Sequence, residues 1–520
     1  MADVTYRVNL KASSIPLLSE SHGRTVIVKG QDQNYVPGMT EKSTLTDAEK
    51  DLGVPQVYYA HNVMPNGTGY QSVGFTKFTN DAELPGDLDF DSTVILLDGA
   101  GNAAEAAISD DGDFFVLTAL SGKWQVPAVG CPTPANLAGR RMTVAFVSGV
   151  TYIYFSNYGC YVYDFATDTM TATTLTGLTA ADILGVSGAF GYLLAYSEDA
   201  IVWSSTLDAT DFVPSLVTGA GGGQVESARG KLVTIEPVYG ALIVFTDSNA
   251  VAAQYSGNSR YPFNFVPVSG AGGLTDPTFV TQDSGAGSLY AYTTSGLQSI
   301  TAKAATTVYP ELTDFLSGYY FEDFDENLNE FSTTIYPTVV QKRLAYIADR
   351  YLVISYGTPT GLTHAIVLDT ALKQFGKLKI PHTDCFEFQL YDQDVIEVPK
   401  KSIAFLQTNG TVYLLNFDLA STDRDGVMLL GKYQYVRSRL LTLEGVEVEN
   451  VDAAATFTLH DIPTIDGKTF ITPIAGYLAS TAAKSRNYRF HNTAMNHSIL
   501  CKGTFNLHSM LLTFDVHGGR

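Results

Sequence analysis

Along most of the chain, apolar residues come in runs of about five, each followed by a turn of Asp, Asn, Ser or Gly and then a second run. Runs this short, rich in Tyr, Phe, Val and Ile, suit pleated strands, and two runs around a tight turn make a β-hairpin. Such pairs lie at 114–126 (FFVLTALSGKWQV), 143–165 (TVAFVSGVTYIYFSNYGCYVYDF), 192–205 (YLLAYSEDAIVWSS), 241–255, 288–300, 351–370 and 402–417. No heptad pattern and no long amphipathic stripe is present. The best helical candidate is the short stretch 45–52 (LTDAEKDL), where Thr46 and Glu49 have the spacing of a capping box.

The hairpins recur. Their first strong residues, Phe114, Tyr152, Tyr192, Leu242, Leu289, Tyr351 and Ile403, are spaced by 38, 40, 50, 47, 62 and 52 positions. Four-stranded propeller blades repeat about every 40–50 residues, because one blade cannot bury both faces and must stack on its neighbours. The spacing predicts an all-β fold, a β-propeller of six to seven degenerate blades. A chain of β-sandwiches gives similar strand spacing and remains the alternative.

The two ends read differently. Residues 1–100 are rich in Gly, Asn and Asp, with sparser strands. The stretch 430–520 holds five of the nine His and longer alternating runs such as 433–448 (YQYVRSRLLTLEGVEV). The expected organisation is an N-terminal platform-like segment (1–100), a propeller repeat region (101–425) and a C-terminal β-rich module (426–520). The flanking platform is built from one or both chain ends.

Composition narrows the function. Of 520 residues 45% are hydrophobic and only 16% charged, the opposite of an unfolded chain. The net charge of −21 argues against gripping nucleic acid, which needs Lys and Arg at the phosphates, and against docking on an anionic membrane. An acidic wall still lets DNA pass without sticking. Cys131, Cys160, Cys385 and Cys501 show no CxxC spacing and read as reduced, mostly buried thiols. The opening MADVTYRVNL has no basic stretch followed by an apolar one, so no secretory signal is expected. No apolar run approaches about 18 residues, so no membrane span is expected.

Candidate chemistry is sparse. His491, His497, His508 and His517 cluster near the C-terminus, but their spacing fits no zinc motif. Were 497–516 a hairpin, His497 and His508 would be cross-strand neighbours; solvent-facing strand histidines are the plainer expectation. Asp323, Asp325, Asn327 and Asn329 alternate like the start of a calcium loop, yet Leu328 and Thr334 stand where Gly and Glu are needed. Asp87, Asp89 and Asp91 alternate on one strand face, and Asp110, Asp111 and Asp113 surround Gly112; solvated turns and charged edges explain both groups. Ser197, Asp199 and Trp203 approach a sialidase-type turn motif, but Ile201 replaces its Gly and the Trp comes one place early. With no GxSxG, and with 219–223 (GAGGG) lacking the Lys-Ser/Thr ending of a phosphate loop, that glycine run reads as a connection between blades. No catalytic, cofactor-binding or metal-binding residue is assigned, and no cofactor is expected.

Several phrases resemble the tail proteins of short-tailed bacteriophages. They are 21–28 (SHGRTVIV), 56–75 with Asn62, Pro65, Gly69 and Tyr70 in an N-xx-P-xxx-G-Y order, and 200–214 (AIVWSSTLDATDFVP). To these are added 241–269, ending in Pro262, Phe263 and Phe265, and the closing stretch 496–520. The chain resembles the tail nozzle, or tail tubular protein B-like, family, related to packaged-DNA stabilisation proteins. That resemblance implies a structural, non-enzymatic virion protein with a propeller and a platform. It implies a homohexameric ring below a tail adaptor protein, tail fibres as further partners, and a conduit that retains packaged double-stranded DNA and releases it at ejection. It also implies assembly in the host bacterial cytoplasm and residence in the virion tail. The alternative is a carbohydrate-active (glycosidase- or sialidase-like) or glycan-binding tail propeller. Acids among Asp87, Asp89 and Asp91, or between Asp323 and Glu330, are the candidates for lining a lumen.

Overall fold

The computed structural model describes residues 24–29, 57–78, 90–310, 312, 316, 321–325, 330–334, 341–390 and 400–516, apart from short loop stretches inside these ranges. The expected helix at 45–52 lies outside them. Among the described residues, seven antiparallel sheets follow one another as propeller blades.

The first blade is Phe90–Leu97, Ala103–Ser109, Phe114–Thr118 and Trp124–Gln125, and the second is Met142–Val147, Val150–Phe155, Gly159–Asp164 and Thr169–Thr173. The third comprises Gly185–Ala189, Tyr192–Tyr196, Ala200–Trp203 and Gly221–Gln224, and the fourth Leu232–Val238, Ala241–Thr246, Ala250–Tyr255 and Phe263–Pro267. The fifth is Val280–Asp283, Ser288–Thr293, Gly296–Ile300 and Ala305–Thr307. The sixth begins with Gln341–Ile347, Tyr351–Thr358, Gly361–Asp369 and Gln374–His382, and the seventh with Asp384–Leu390, Lys400–Leu406 and Val412–Asn416.

The second strand of each blade explains the apolar runs. In Tyr192–Tyr196 every residue is buried. Tyr192, Leu194 and Tyr196 pack toward the fourth blade, while Leu193 and Ala195 pack toward the second. A strand pleated with period two and covered on both faces needs apolar residues at every position. A core of this kind sits between each pair of neighbours, including the last and first: Ala107, Phe115 and Leu117 meet Phe386, Phe388 and Leu406. The ring is closed.

Closure also uses the N-terminal part of the chain. Gly74–Lys77 pairs with Val412–Asn416 as the outer strand of the seventh blade, with Asn416 opposite Gly74. The propeller therefore extends to the N-terminal side of the expected boundary at 100, a position between the first two strands of blade one in the chain order. Those strands begin FDS and read AAEAAIS, and acids and alanines are poor strand signals.

The platform is two sheets built from both chain ends. One is ordered Arg24–Lys29, Ser509–Val516, Leu441–Glu449, Ser485–Ala494. The other is ordered Val57–His61, Gly426–Gln434, Asn496–Thr504, Thr456–Thr464, Ala475–Ala479. Leu443 and Val446 of the first share a core with Met428, Leu430, Leu459 and Ile499 of the second. The same core takes in Ile354, Ile366 and Leu368 of the sixth blade.

One short segment, 57–77, ties the parts together. Val57–His61 lies in the platform, Val63–Pro65 and Tyr70–Ser72 extend the sixth blade outward, and Gly74–Lys77 closes the seventh. Asn62 turns the chain between the first two in a left-handed conformation (φ 51°), and its Oδ1 accepts a 2.9 Å hydrogen bond from the Lys379 amide. Tyr70 is fully buried in the shared core, and Lys377 Nζ lies 4.8 Å from the centre of the Tyr59 ring.

Candidate functional site

The connections that lead from one blade into the next start each innermost strand, and polar side chains of blades two, three and four come together near three of these starts. Arg141 immediately precedes the innermost strand of blade two. Thr234 and Glu236 lie two apart on that of blade four, so they share one face, and Thr234 Oγ1 donates to Glu236 Oε1 at 3.0 Å. From the end of the second strand of blade three, Tyr196 reaches the same region across its strand partner Gly185. A Cβ at Gly185 would lie 2.5 Å from the Tyr196 hydroxyl, so only glycine leaves room for that ring.

The electrostatics are unusual for so acidic a protein. Burial raises the Glu236 carboxyl to about 7, against the opposing effects of the Thr234 hydrogen bond and the Arg141 charge. Burial also raises the Tyr196 phenol, which stays neutral. The Tyr196 hydroxyl is buried, with the Thr234 side chain as its polar partner. Beside Arg141 opens a cavity of about 350 Å³, lined by Arg140, Arg141, Ser156, Asn157, Leu184 and Val233, while Tyr196, Thr234 and Glu236 do not line it. Arg140 is fixed: its guanidinium donates to Asn136 O at 2.5 Å and Ser156 O at 2.7 Å and lies over the Tyr158 ring. Arg141 is bonded through its main-chain amide to Ser156 Oγ at 3.1 Å. Its guanidinium makes no hydrogen bond or ion pair among the described residues.

The residues singled out from sequence lie elsewhere. His497 is not solvent-facing: it is fully buried, with Nδ1 3.0 and 3.1 Å from the two carboxylate oxygens of Asp461 on the adjacent strand. Its cross-strand neighbours are Tyr433 and Pro463. His508 and His517 lie outside the described residues, as does the side chain of His491. Asp323 and Asp325 fall on a hairpin, Phe321–Asp325 with Glu330–Thr334, while Asn327, Leu328 and Asn329 lie outside the described residues. Asp87 and Asp89 also lie outside them; Asp91 is on the innermost strand of blade one. Asp110 and Asp113 shape a turn, with the Asp113 amide bonded to Ser109 Oγ at 2.9 Å. Among the described residues, no group of three His, Cys, Asp or Glu is arranged to hold a metal ion.

Ser197, Asp199 and Trp203 serve the fold. Ser197 Oγ donates to Asp199 Oδ1 at 3.1 Å and accepts from the Ala200 amide at 3.2 Å, closing a hairpin turn, while Trp203 Nε1 donates to Gly219 O at 2.9 Å. The glycine run is not merely a connection, because Gly221–Gln224 is the outer strand of blade three. Glycine is needed there: a Cβ at Gly222 would meet Val202 at 2.5 Å. All four cysteines are free, Cys131 being half-buried and Cys160, Cys385 and Cys501 buried. No helix among the described residues is long and apolar enough to cross a membrane.

Neither a family model nor a curated protein matches the sequence. Solved structures with a similar arrangement include the extracellular domain of a putative one-component system from B. thetaiotaomicron. It has a TM-score of 0.39 at 10% identity, covering 88% of this chain and 62% of that one. YCF48 from Cyanidioschyzon merolae matches with a TM-score of 0.41 at 10% identity, over 66% of this chain and 99% of its own. The WD40 β-propeller domain of Doa1 matches at 0.37 and 8% identity, over 66% and 98%. The chain spans about 62% of the length of the first of these. The β-propeller is established by the chain's own seven sheets and the cores between them.

Proposed function

We propose that this chain is a structural virion protein, the nozzle of a short phage tail. In this reading six copies form a ring below a tail adaptor, retain packaged double-stranded DNA, and pass it outward at ejection. The protein then has no enzymatic role, assembles in the host cytoplasm and resides in the virion tail, with tail fibres as further neighbours.

The observation that carries the reading is the strap at 57–77. The N-xx-P-xxx-G-Y phrase that resembles the nozzle family falls where platform, sixth blade and seventh blade are joined. A second phrase, Asp208 to Phe212, holds a long loop of blade three against blade two: the Phe212 amide donates to Thr176 O at 2.9 Å. The net charge of −21 suits a wall that DNA slides past. The test is a particle carrying Asp323→Lys, Asp325→Lys and Glu330→Lys. Slowed or stalled DNA ejection supports a lumen lined by this hairpin, and an unchanged rate argues against that placement.

A glycan-binding tail propeller is the second reading. One observation favours it: the cavity with its unpaired guanidinium.

A further inference from the structure

We propose that the cavity between blades two, three and four binds a carboxylate of monosaccharide size, an acidic sugar, with Arg141 as its anchor. This inference does not depend on whether the chain builds a tail.

Three observations converge. First, the Arg141 guanidinium lines the cavity without a hydrogen bond or ion pair among the described residues, whereas its neighbour Arg140 is fully engaged. A guanidinium presents parallel N–H donors that match a carboxylate in a two-pronged bond. Second, the titratable groups near Arg141 do not quench its charge. Burial raises the Tyr196 phenol, which stays neutral. Burial raises the Glu236 carboxyl to about 7, so below that pH it leaves the guanidinium uncompensated. Third, the cavity is about 350 Å³, at the small end of ligand sites.

A purely internal role for Arg141 fits less well. Were it simply the counter-ion of Glu236, the carboxyl would be held ionised; instead burial outweighs it and the acid is raised to about 7. The charged or titratable groups acting on Glu236 are Arg141 from blade two and Tyr196 from blade three, with Thr234 bonded to it on its own strand.

The experiment is titration calorimetry of the full chain with D-glucuronate, with D-glucose and inorganic phosphate as separate arms. The expected result is measurable binding of glucuronate and none of glucose. Affinity should fall at least about tenfold in Arg141→Ala and less in Arg141→Lys, with melting temperatures unchanged, because a bidentate charged bond is lost. Affinity should also fall as pH rises through about 7 and become flat with pH in Glu236→Gln. Absence of glucuronate binding overturns the proposal, as does equal binding by Arg141→Ala. Phosphate binding as tight as glucuronate overturns the assignment to an acidic sugar.

Discussion

Arg343 Nε lies 2.5 Å from Oδ1 of Asp384, joining the innermost strands of the sixth and seventh blades beside the seam where the ring closes. The same Arg343 donates to Thr93 Oγ1 of the first blade at 2.9 Å, and Thr93 in turn bonds Asp384. Three blades thus meet on one buried carboxylate.

Removing either charge leaves the other stranded in the seam. Breaking a buried pair by deleting one partner costs about 3–5 kcal/mol. Asp384→Ala and Arg343→Ala should each lower unfolding free energy in urea by about that much. The double variant should lose less than the sum of the singles. Two small, additive losses would show that the pair does not hold the seam.

Glu105 makes this seam sensitive to alkali. It is fully buried in blade one, and burial, then the Asp384 charge, raises its carboxyl well above the ordinary 4.5. The folded state therefore keeps a proton that the unfolded chain releases. The resulting stability is complete below about pH 4.5 and is lost as pH rises through the raised folded value. Glu105→Gln cannot ionise, so the melting temperature of the native protein should fall relative to this variant as pH increases. Parallel curves would mean that Glu105 is ionised in the folded protein.

Histidines set the acid limb. His382 is buried, with Nδ1 2.7 Å from Ile380 O and Nε2 2.7 Å from Ser355 Oγ, an arrangement suited to the neutral ring with its proton on Nδ1. Burial lowers it from 6.5 to about 4, and His364 is lowered too. The unfolded chain binds protons that the folded one refuses, so stability is present above pH 6.5 and is lost as pH falls toward 4. For His382 alone this is on the order of 3 kcal/mol. Urea unfolding at pH 7 and pH 5 should show a smaller pH-dependent loss in His382→Gln than in the native protein.

At the strap, glycine should be better tolerated than alanine. Asn62 has φ 51°, where a Cβ is strained, and its side chain bonds the Lys379 amide. Both Asn62→Gly and Asn62→Ala lose the bond, but only Ala also suffers the backbone cost, a further ~1 kcal/mol. Hydrogen exchange should quicken in 57–77 before the blades open; uniform exchange would contradict a separate joint.

Much of the ring was legible because a strand buried on both faces must be apolar throughout, as in Tyr192–Tyr196. The Ala-rich and acid-bearing inner strands of blade one gave no such signal. Nor did Gly74–Lys77, since pairing across more than three hundred residues is decided in space. His497 read as a surface strand residue because its partner Asp461 lies on a neighbouring strand 36 positions away. Gly221–Gln224 read as a linker because glycine normally weakens strands; here the Trp203 ring and Val202 fill the space that side chains would take. The polar group had no motif to find. Arg141, Tyr196 and Glu236 come from three blades and meet only once those neighbours have packed together.

The most direct test of the conduit reading is electron microscopy of the native particle or complex containing this chain. The account predicts a six-fold ring at the distal end of a short tail, with one propeller and one platform in each subunit. A trimer at the end of a fibre, or a lone monomer in every complex, would contradict it.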